Sequence, residues 1–470
     1  MTDTAPLCAP SPHPADLAAI RATLEEALAL QQAGNLAAAE PRYRRVIEAG
    51  YRVAEVRPIL AGIMAVRGHL PAALALWDAV LADDPGNPVA LHEQGLINGR
   101  LGRSADAIAM LRASFAADPE NAVTANNLAV MLADAGERSE ALEMFARALA
   151  LQPGNLHIEH QIRRLSAELV PFWHIPMLND ARRNGAFEAA IIAAVAAAGP
   201  DARVLDIGTG SGLLSMMAAR AGASAITACE VVPVIADTAR AIIADNGYAD
   251  RIAVHTALSS ALEVGRELDA RADILVSEIL SSDLLTEKVI DTFEDAHARL
   301  LKDDAIVIPR AAAAIGCLVE SPVLADYVFV DRVSGFDVSR FGALGPQKLP
   351  IHGTMTDWTR LSDDVELVRI DLTQRRHDSD LQTLDIRVTA DGTAAGIVQW
   401  MHVDLAEGIS FDNHPDGYCD GGWLQVLHPF PAPIAVRAGD VLRLAVGHDR
   451  VTLIVRPLDL AAGGALLQAA

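Results

Sequence analysis

Four glycines in the first third of the chain, Gly34, Gly68, Gly102 and Gly136, recur at a fixed interval of 34 residues. A strict period of that length means one supersecondary unit copied along an axis, each copy burying its apolar face against the next. Other positions keep the same phase. Five residues after each glycine stands an alanine (Ala39, Ala73, Ala107, Ala141), and nine after it a large side chain (Tyr43, Trp77, Leu111, Phe145). Pro85, Pro119 and Pro153 close three of the units, with Tyr51 in that place in the first. Small residues let paired helices approach, bulky ones fill the groove between units, and proline stops the second helix. The pattern predicts stacked helix pairs over residues 17–160.

This phase and residue choice resembles the tetratricopeptide repeat, in about four copies. The resemblance implies an α-helical solenoid whose concave face binds a protein partner, with a purely structural or dimerising array as the alternative. Ahead of it, residues 1–16 begin M-T-D-T-A-P-L-C-A-P-S-P-H-P and read as a disordered leader, with neither the basic start nor the apolar run of a signal peptide.

A chain of 470 residues exceeds one ordinary core, and its periodicity changes twice more. Residues 161–309 first carry P-F-W-H-I-P-M-L-N-D-A-R-R-N (Pro171 to Asn184), too apolar for a free linker, and then an apolar helix over Phe187 to Ala198. Alternating strands and helices follow. Strands are expected at Arg203–Ile207, Ala225–Glu230, Ile252–His255, Ala272–Ser277 and Ala305–Ile308, and helices at Gly212–Ala221, Val234–Asn246 and Glu287–Leu301. That order makes a doubly wound, Rossmann-like parallel sheet. From 310 to 470 helical periodicity vanishes, and turn signals at Gly353, Asp391-Gly392, Gly439-Asp440 and Gly447-His448-Asp449 separate short β-rich runs. Val441–Val446 and Val451–Val455 read as a hairpin, and the region as a β-barrel or sandwich.

The formal charge of −23, from 61 acidic against 38 basic side chains, argues against nucleic acid and anionic membrane as partners and favours a basic protein or peptide. Cys8, Cys229, Cys317 and Cys419 show no C-x-x-C spacing, so no metal site or disulfide framework is indicated, and a reducing cytoplasm fits best. The longest apolar run, Ala189 to Gly199, is short of the ~20 residues of a membrane span.

Chemistry concentrates at two stretches. In V-L-D-I-G-T-G-S-G-L (Val204 to Leu213), a strand ending at Asp206 enters a turn of Gly208, Gly210 and Gly212 and then a helix, the arrangement that offers backbone N–H groups to a nucleotide-like ligand. The spacing is G-x-G-x-G rather than G-x-G-x-x-G. Glu230 ends the second strand, where a carboxylate can accept from both ribose hydroxyls, and the combination favours S-adenosyl-L-methionine over a nicotinamide dinucleotide. In D-I-L-V-S-E-I-L-S-S-D-L-L-T-E (Asp273 to Glu287), Glu278 follows the fourth strand and Glu287 lies nine residues later. Two carboxylates in one loop suit a planar guanidinium. Taken alone, such a pair is more often a solvated loop and a helix start, with Glu287 favouring the first turn of its helix.

With these segments in this order, the sequence resembles the protein arginine methyltransferase family over residues 171 to about 456. The resemblance assigns the glycine loop with Asp206, Gly208, Gly210, Gly212 and Glu230 to the cofactor, and Glu278 and Glu287 to a double-glutamate loop for the substrate arginine. M-L-N-D-A-R-R-N, Met177 to Asn184, is similar to the family's N-terminal helix, whose arginine, here Arg183, grips the cofactor's carboxylate. V-I-P-R (Val307 to Arg310) matches the joint into the barrel, and G-F-D-V-S (Gly335 to Ser339) follows the place of the dimerisation arm. L-L-S-M-M-A (Leu213 to Ala218) and C-L-V-E-S (Cys317 to Ser321) look like the monomethylating branch, whereas N-terminal repeats look like the symmetric-dimethylating one. Both branches usually carry a second catalytic-like module, for which this chain has no room.

Departures from the family pattern are specific. Its threonine-histidine-tryptophan loop reads G-G-W-L-Q (Gly421 to Gln425), keeping Trp423 as a substrate-side residue but placing Gly422 at the histidine. Ala261 replaces an acidic adenine partner, leaving Ser259 or Ser260. The arm segment Pro322 to Val333 is short for the family's ring-shaped dimer, which leaves homodimerisation open. The reading is an S-adenosylmethionine-dependent enzyme that methylates a guanidino nitrogen of arginine in a protein or peptide. The alternatives are methylation of a small molecule or non-arginine acceptor, and a catalytically idle scaffold.

Overall fold

In a computed structural model, the structure describes residues 14–171, 173–351, 357–417 and 421–458, and the chain divides into two compact units between Leu169 and Val170. The expected leader, the tail after residue 458, Phe172, Gly353, Cys8 and Cys419 all lie outside the described residues, apart from residues 14–16, which begin the first helix.

The first unit is helical. Four antiparallel pairs follow one another, α1 (Pro14–Gln32) with α2 (Leu36–Glu48), α3 (Val53–Val66) with α4 (Leu70–Asp83), α5 (Pro88–Arg100) with α6 (Ser104–Ala117) and α7 (Ala122–Asp134) with α8 (Arg138–Leu151), before α9 (Leu156–Leu169). The helix α9 runs through the boundary expected at residue 160. The recurring glycine is the turn inside each pair, and its φ of 74°, 83°, 74° and 88° at Gly34, Gly68, Gly102 and Gly136 is the left-handed conformation that only glycine adopts without strain. Asn35, Asn87 and Asn121 each accept a backbone N–H of the following first turn, capping α2, α5 and α7. All four phased alanines are fully buried, as are Tyr43, Leu111, Phe145 and nearly all of Trp77. At Gly95 a Cβ would stand 2.6 Å from Leu111 Cγ, so α5 and α6 pack as closely as a missing side chain permits.

The second unit begins with α10 (His174–Asn179) and α11 (Ala181–Ala198), which starts six residues before the expected Phe187 because Asp180 caps it, its Oδ1 accepting the Arg183 N–H at 2.9 Å. There follow β1 (Arg203–Ile207), α12 (Leu213–Ala221), β2 (Ala225–Glu230), α13 (Pro233–Asp245), β3 (Ile252–Thr256), β4 (Ala272–Ser277), α14 (Val289–Arg299) and β5 (Leu301–Ile308). The five strands form one parallel sheet in the order β3-β2-β1-β4-β5, a doubly wound, Rossmann-like arrangement. Strand order reverses between β1 and β4, the switch point at whose carboxyl ends open α/β sheets bind their ligands. One boundary differs in a way that matters. The helix expected from Glu287 begins at Val289, because Lys288 takes a left-handed φ of 58° and leaves Glu287 on the loop.

Beyond β5 the chain is antiparallel. A sheet of β6 (Ala311–Glu320), β9 (Leu349–Ile351), β10 (Thr359–Arg360), β11 (Val365–Asp371), β13 (Gly392–Ala406), β14 (Ile409–Asp412) and β15 (Gln425–Val436) has β6, β13 and β15 at its centre. A second sheet pairs β12 (Asp380–Arg387), β16 (Val441–His448) and β17 (Leu453–Pro457), the last two forming the expected hairpin. Between β6 and β9 an arm carries α15 (Pro322–Val328) and the small hairpin of β7 (Arg332–Val333) and β8 (Phe336–Asp337). One continuous core runs from Phe187 through the parallel sheet to Met401, Trp423 and Leu453, and α11 contacts both β4 and β13. Burial of this shared apolar surface fixes the parallel and antiparallel halves against each other.

Candidate active site

The residues singled out in the sequence come from separate elements, and the parallel sheet brings most of them to one edge. At the end of β1, Asp206 is fully buried. Its Oδ2 accepts from the hydroxyls of Thr209 at 2.7 Å and Ser215 at 2.6 Å, while Oδ1 has no partner within the protein. Burial pushes its carboxyl up from the ordinary value, against the pull of those hydroxyls, and the charge of Glu230 adds to the rise. Gly208 and Gly212 both have positive φ, and a Cβ on either would strike Ile279 or Ile243 at under 3 Å. Gly210, also at positive φ, faces open space instead.

Glu230, at the end of β2, is buried and accepts the backbone N–H of Gly210 on one oxygen and of Val232 on the other, at 3.2 and 2.9 Å. Each oxygen keeps a lone pair for a hydroxyl donor. An unpartnered acidic oxygen for an ammonium, a carboxylate for a ribose and an open glycine turn between them fit S-adenosylmethionine. Ser259 is buried in a short turn whose carbonyl accepts from Arg299 at 3.1 Å, and Ser260 is exposed beside it.

Glu278 and Arg183 meet as a buried ion pair. Arg183 Nε donates to Glu278 Oε1 at 3.1 Å, a second guanidinium nitrogen reaches Oε2, and the two side chains are 4% and 5% exposed. The guanidinium also lies 5.1 Å from the Phe187 ring centre and 6.0 Å from that of Trp423. Burial pushes the Glu278 carboxyl up while Arg183 pulls it down, and Asp180 and Asp206 add to the rise. Glu287 keeps solvent-exposed surface, yet its carboxyl is raised to about 7, first by partial dehydration and then by the like charges of Glu278, Glu230 and Asp283. Those repulsions place Glu287 among other acidic groups, of which Glu278 is paired with Arg183 and Asp283 with Lys348.

Trp423 is nearly buried. Its indole N–H donates to the Leu280 carbonyl inside the glutamate loop at 2.9 Å, and its ring packs on Phe411 at 5.6 Å. Gly422 has a structural reason. A Cβ there would stand 2.7 Å from Met177 Cβ and 3.0 Å from Met177 Cα, so α10 occupies the space a histidine side chain would take. Missed in the sequence were the buried polar side chains of Gln399, which donates to Ser282 far away in the chain, His428, which meets Gln399, and Asn413, which bridges Met401 and Trp423. The one available signal was a polar residue interrupting the apolar β13 run.

Comparisons agree with this geometry. Residues 191–309 match the family described as ribosomal protein L11 methyltransferase (PrmA). The chain is 37% identical over 287 residues to an arginine N(omega)-methyltransferase of Streptomyces achromogenes subsp. streptozoticus, covering 61% of this chain and 78% of that protein. It is 32% identical to protein arginine N-methyltransferase 7 of Drosophila melanogaster, over 59% of this chain and 46% of that one. For the protein of the same name in Oryza sativa subsp. indica, identity is 35% over 52% of this chain and 36% of that one. The chain thus spans about half or less of the length of these two relatives. Among solved structures, the Trypanosoma brucei PRMT1 enzyme–prozyme heterotetrameric complex with AdoHcy has the same fold, with a TM-score of 0.52 and 24% identity over 59% of this chain and 89% of that chain.

The contact at Gly422 makes a direct prediction. Gly422→Ala should cost about 1–3 kcal/mol of overpacking, lowering the melting temperature and exposing residues 173–180 to limited proteolysis; an unchanged melt and digest would mean that Met177 yields freely.

Proposed function

The chain belongs to the arginine methyltransferase family, and from that premise we propose that Glu278 and Glu287 hold the guanidinium of an arginine in a protein or peptide while a methyl group is transferred to one of its nitrogens. The enzyme is an S-adenosylmethionine-dependent arginine methyltransferase. The cofactor supplies a methyl group already activated on a sulfonium, so the protein's work is to position and desolvate. Asp206, Gly210 and Glu230 hold the cofactor, with Gly208 and Gly212 shaping the turn, Met177 and Arg183 closing over it, and Ser259 and Ser260 on the adenine side.

The observation that carries the reading is the loop that joins a buried glutamate, Glu278, to an exposed one, Glu287. A guanidinium with a pKa above about 12 stays protonated at neutral pH, so two carboxylates hold it in one orientation and draw its positive charge away from the reacting nitrogen. Glu278, fixed by Arg183, supplies the rigid contact. Glu287, exposed and raised to about 7, is suited to accept the proton released on transfer. The parallel sheet serves as the cofactor domain, and the antiparallel sheets, as a barrel, serve as the substrate domain with Trp423 between them.

Three further assignments belong to this reading. The helical pairs of residues 17–160 are tetratricopeptide repeats that recruit a protein substrate, supported by the phased burial of their alanines and bulky residues. The arm exposes Tyr327, Phe336, Phe341 and Leu344, each two-thirds exposed or more, which favours a homodimer. The enzyme works in a reducing cytoplasm, supported by the unpaired, buried Cys229 and Cys317; no described helix is long and apolar enough to cross a membrane. A second acceptor class has its own support. The Streptomyces relative is named for arginine without the word protein, so free arginine is the competing substrate.

Labelled cofactor with an arginine-rich peptide and with free arginine, followed by product mass spectrometry, decides between the acceptors. Glu278→Gln should lower methylation at least 100-fold, on the scale of a lost transition-state contact, while the demethylated cofactor still binds by calorimetry; unchanged turnover would sink the glutamate mechanism. Deleting residues 1–155, which ends just before α9, should raise KM for a protein substrate far more than for a short peptide, and equal effects would mark the repeats as structural. Sedimentation equilibrium should give a dimer that Phe336→Ser with Phe341→Ser converts to monomer, and a wild-type monomer would remove the arm from any assembly role.

A further inference from the structure

The loop between the two glutamates has no helix or strand of its own, and Leu284 inside it (φ 78°) and Lys288 just past it (φ 58°) hold left-handed conformations that branched and long side chains resist. Bonds among Ser281, Asp283 and Thr286 fold the loop on itself, and the antiparallel half holds it from outside at four places, one of them the Leu424 N–H, which donates to the Ser282 hydroxyl at 2.9 Å. Trp423 Nε1 donates to the Leu280 carbonyl, and Asn413 in turn holds the Trp423 carbonyl at 3.0 Å. Lys348 pairs with Asp283 at 2.8 Å. Between them, at the loop's midpoint, Gln399 Nε2 donates to the Ser282 carbonyl at 3.0 Å.

Gln399 is the least expected of these. It is 0% exposed in the middle of β13, flanked by the buried Val398 and Trp400. A buried amide is costly unless both of its ends are satisfied, and an apolar residue there would serve the core better. Its other end is satisfied by His428 of β15, whose Nε2 lies 2.9 Å from Gln399 Oε1. The chain of bonds has one consistent direction. The Ser282 carbonyl can only accept, so the amide nitrogen points to it, the amide oxygen faces His428, and His428 Nε2 carries the hydrogen.

We propose that Gln399, oriented by His428, is a positioning residue for methyl transfer, fixing the Ser282 carbonyl and through it the separation and aim of Glu278 and Glu287. The assignment rests on the reading of those glutamates as the acceptor-holding pair. Burial pushes the imidazole of His428 down to about 3, so it stays neutral at working pH and the relay does not itself titrate. Glu287 then reports on the relay. Its carboxyl is raised by partial burial and by Glu278, Glu230 and Asp283, the last already paired with Lys348, and Glu278 is paired with Arg183. The group must be ionised to hold a guanidinium, so kcat/KM for the acceptor falls as pH drops through about 7. A slackened loop lets Glu287 withdraw from those charges into water, and the acid limb moves toward the ordinary glutamate value.

The test uses the full chain with Gln399→Leu, His428→Leu and His428→Gln, the last placing an amide N–H near the position of the imidazole Nε2–H. Gln399→Leu and His428→Leu should lower kcat roughly 10- to 100-fold, the scale of a misplacement near 1 Å, leave the Kd for the demethylated cofactor within about twofold, and shift the acid limb of the acceptor kcat/KM profile down by about one pH unit. His428→Gln should restore most of both. Hydrogen exchange, which needs no turnover, should rise over residues 278–288 in the two leucine variants and stay unchanged in β1 and β4. Exchange that stays unchanged in the loop, or that rises equally across the parallel sheet, overturns the relay. So does a loosened loop with kcat and the acid limb intact. A wild-type enzyme inactive on every arginine acceptor would overturn the function proposed for the glutamates, and the exchange measurement would still decide whether Gln399 fixes the loop.

Discussion

A carboxylate buried as deeply as that of Glu278 survives in its charged form only beside a matched cation, and Arg183 is that cation. The pair ties α11 to the end of β4. Arg183 can reach Glu278 because Asp180 caps α11 and sets the direction of its first turn, while Phe187 and Trp423 cover the guanidinium from the side. Breaking such a pair from either side leaves an uncompensated charge in the interior, so the helix, the strand end and the tryptophan are committed to one arrangement. The charges that remain on the exposed side, Glu287 above all, are the ones left for a substrate.

The two halves of the catalytic unit divide the work by the kind of precision each can give. A parallel sheet delivers Asp206, Glu230 and Glu278 to one edge because its strands all end there, and each of these residues is held within a residue or two of regular structure. Glu287 stands off the sheet, on the loop that precedes α14. That loop is held from the antiparallel half, through Trp423 on Leu280, Gln399 on Ser282 and Lys348 on Asp283. On the proposed roles, the cofactor contacts and Glu278 come from the parallel sheet, while the position of Glu287 is set from the antiparallel half.

Much of the framework was legible before any coordinates. The 34-residue period placed the helix pairs because a left-handed turn admits glycine and little else. Three of the five parallel strands begin and end where apolar alternation put them, and β3 and β5 were found with one end displaced. Errors fell at element ends, where capping and local backbone decide. Asp180 starts α11 early, and Lys288 delays α14 so that Glu287 belongs to the loop rather than to a helix. Gly422, which departed from the family's histidine, is explained by Met177 lying against it, a contact between residues 245 positions apart (422 − 177) that no local pattern records.

By itself the sequence determined which residues carry charge at strand ends and which turns demand glycine, because those depend on neighbours within a few positions. Only the tertiary structure decided what the charges do to one another. That Arg183 neutralises Glu278, that Glu287 is raised by partial dehydration and then by three other carboxylates, and that a glutamine in the middle of β13 grips the glutamate loop all depend on burial and on distances between elements. A carboxylate's behaviour is set by the dielectric and the charges around it, and those exist only once the chain has folded.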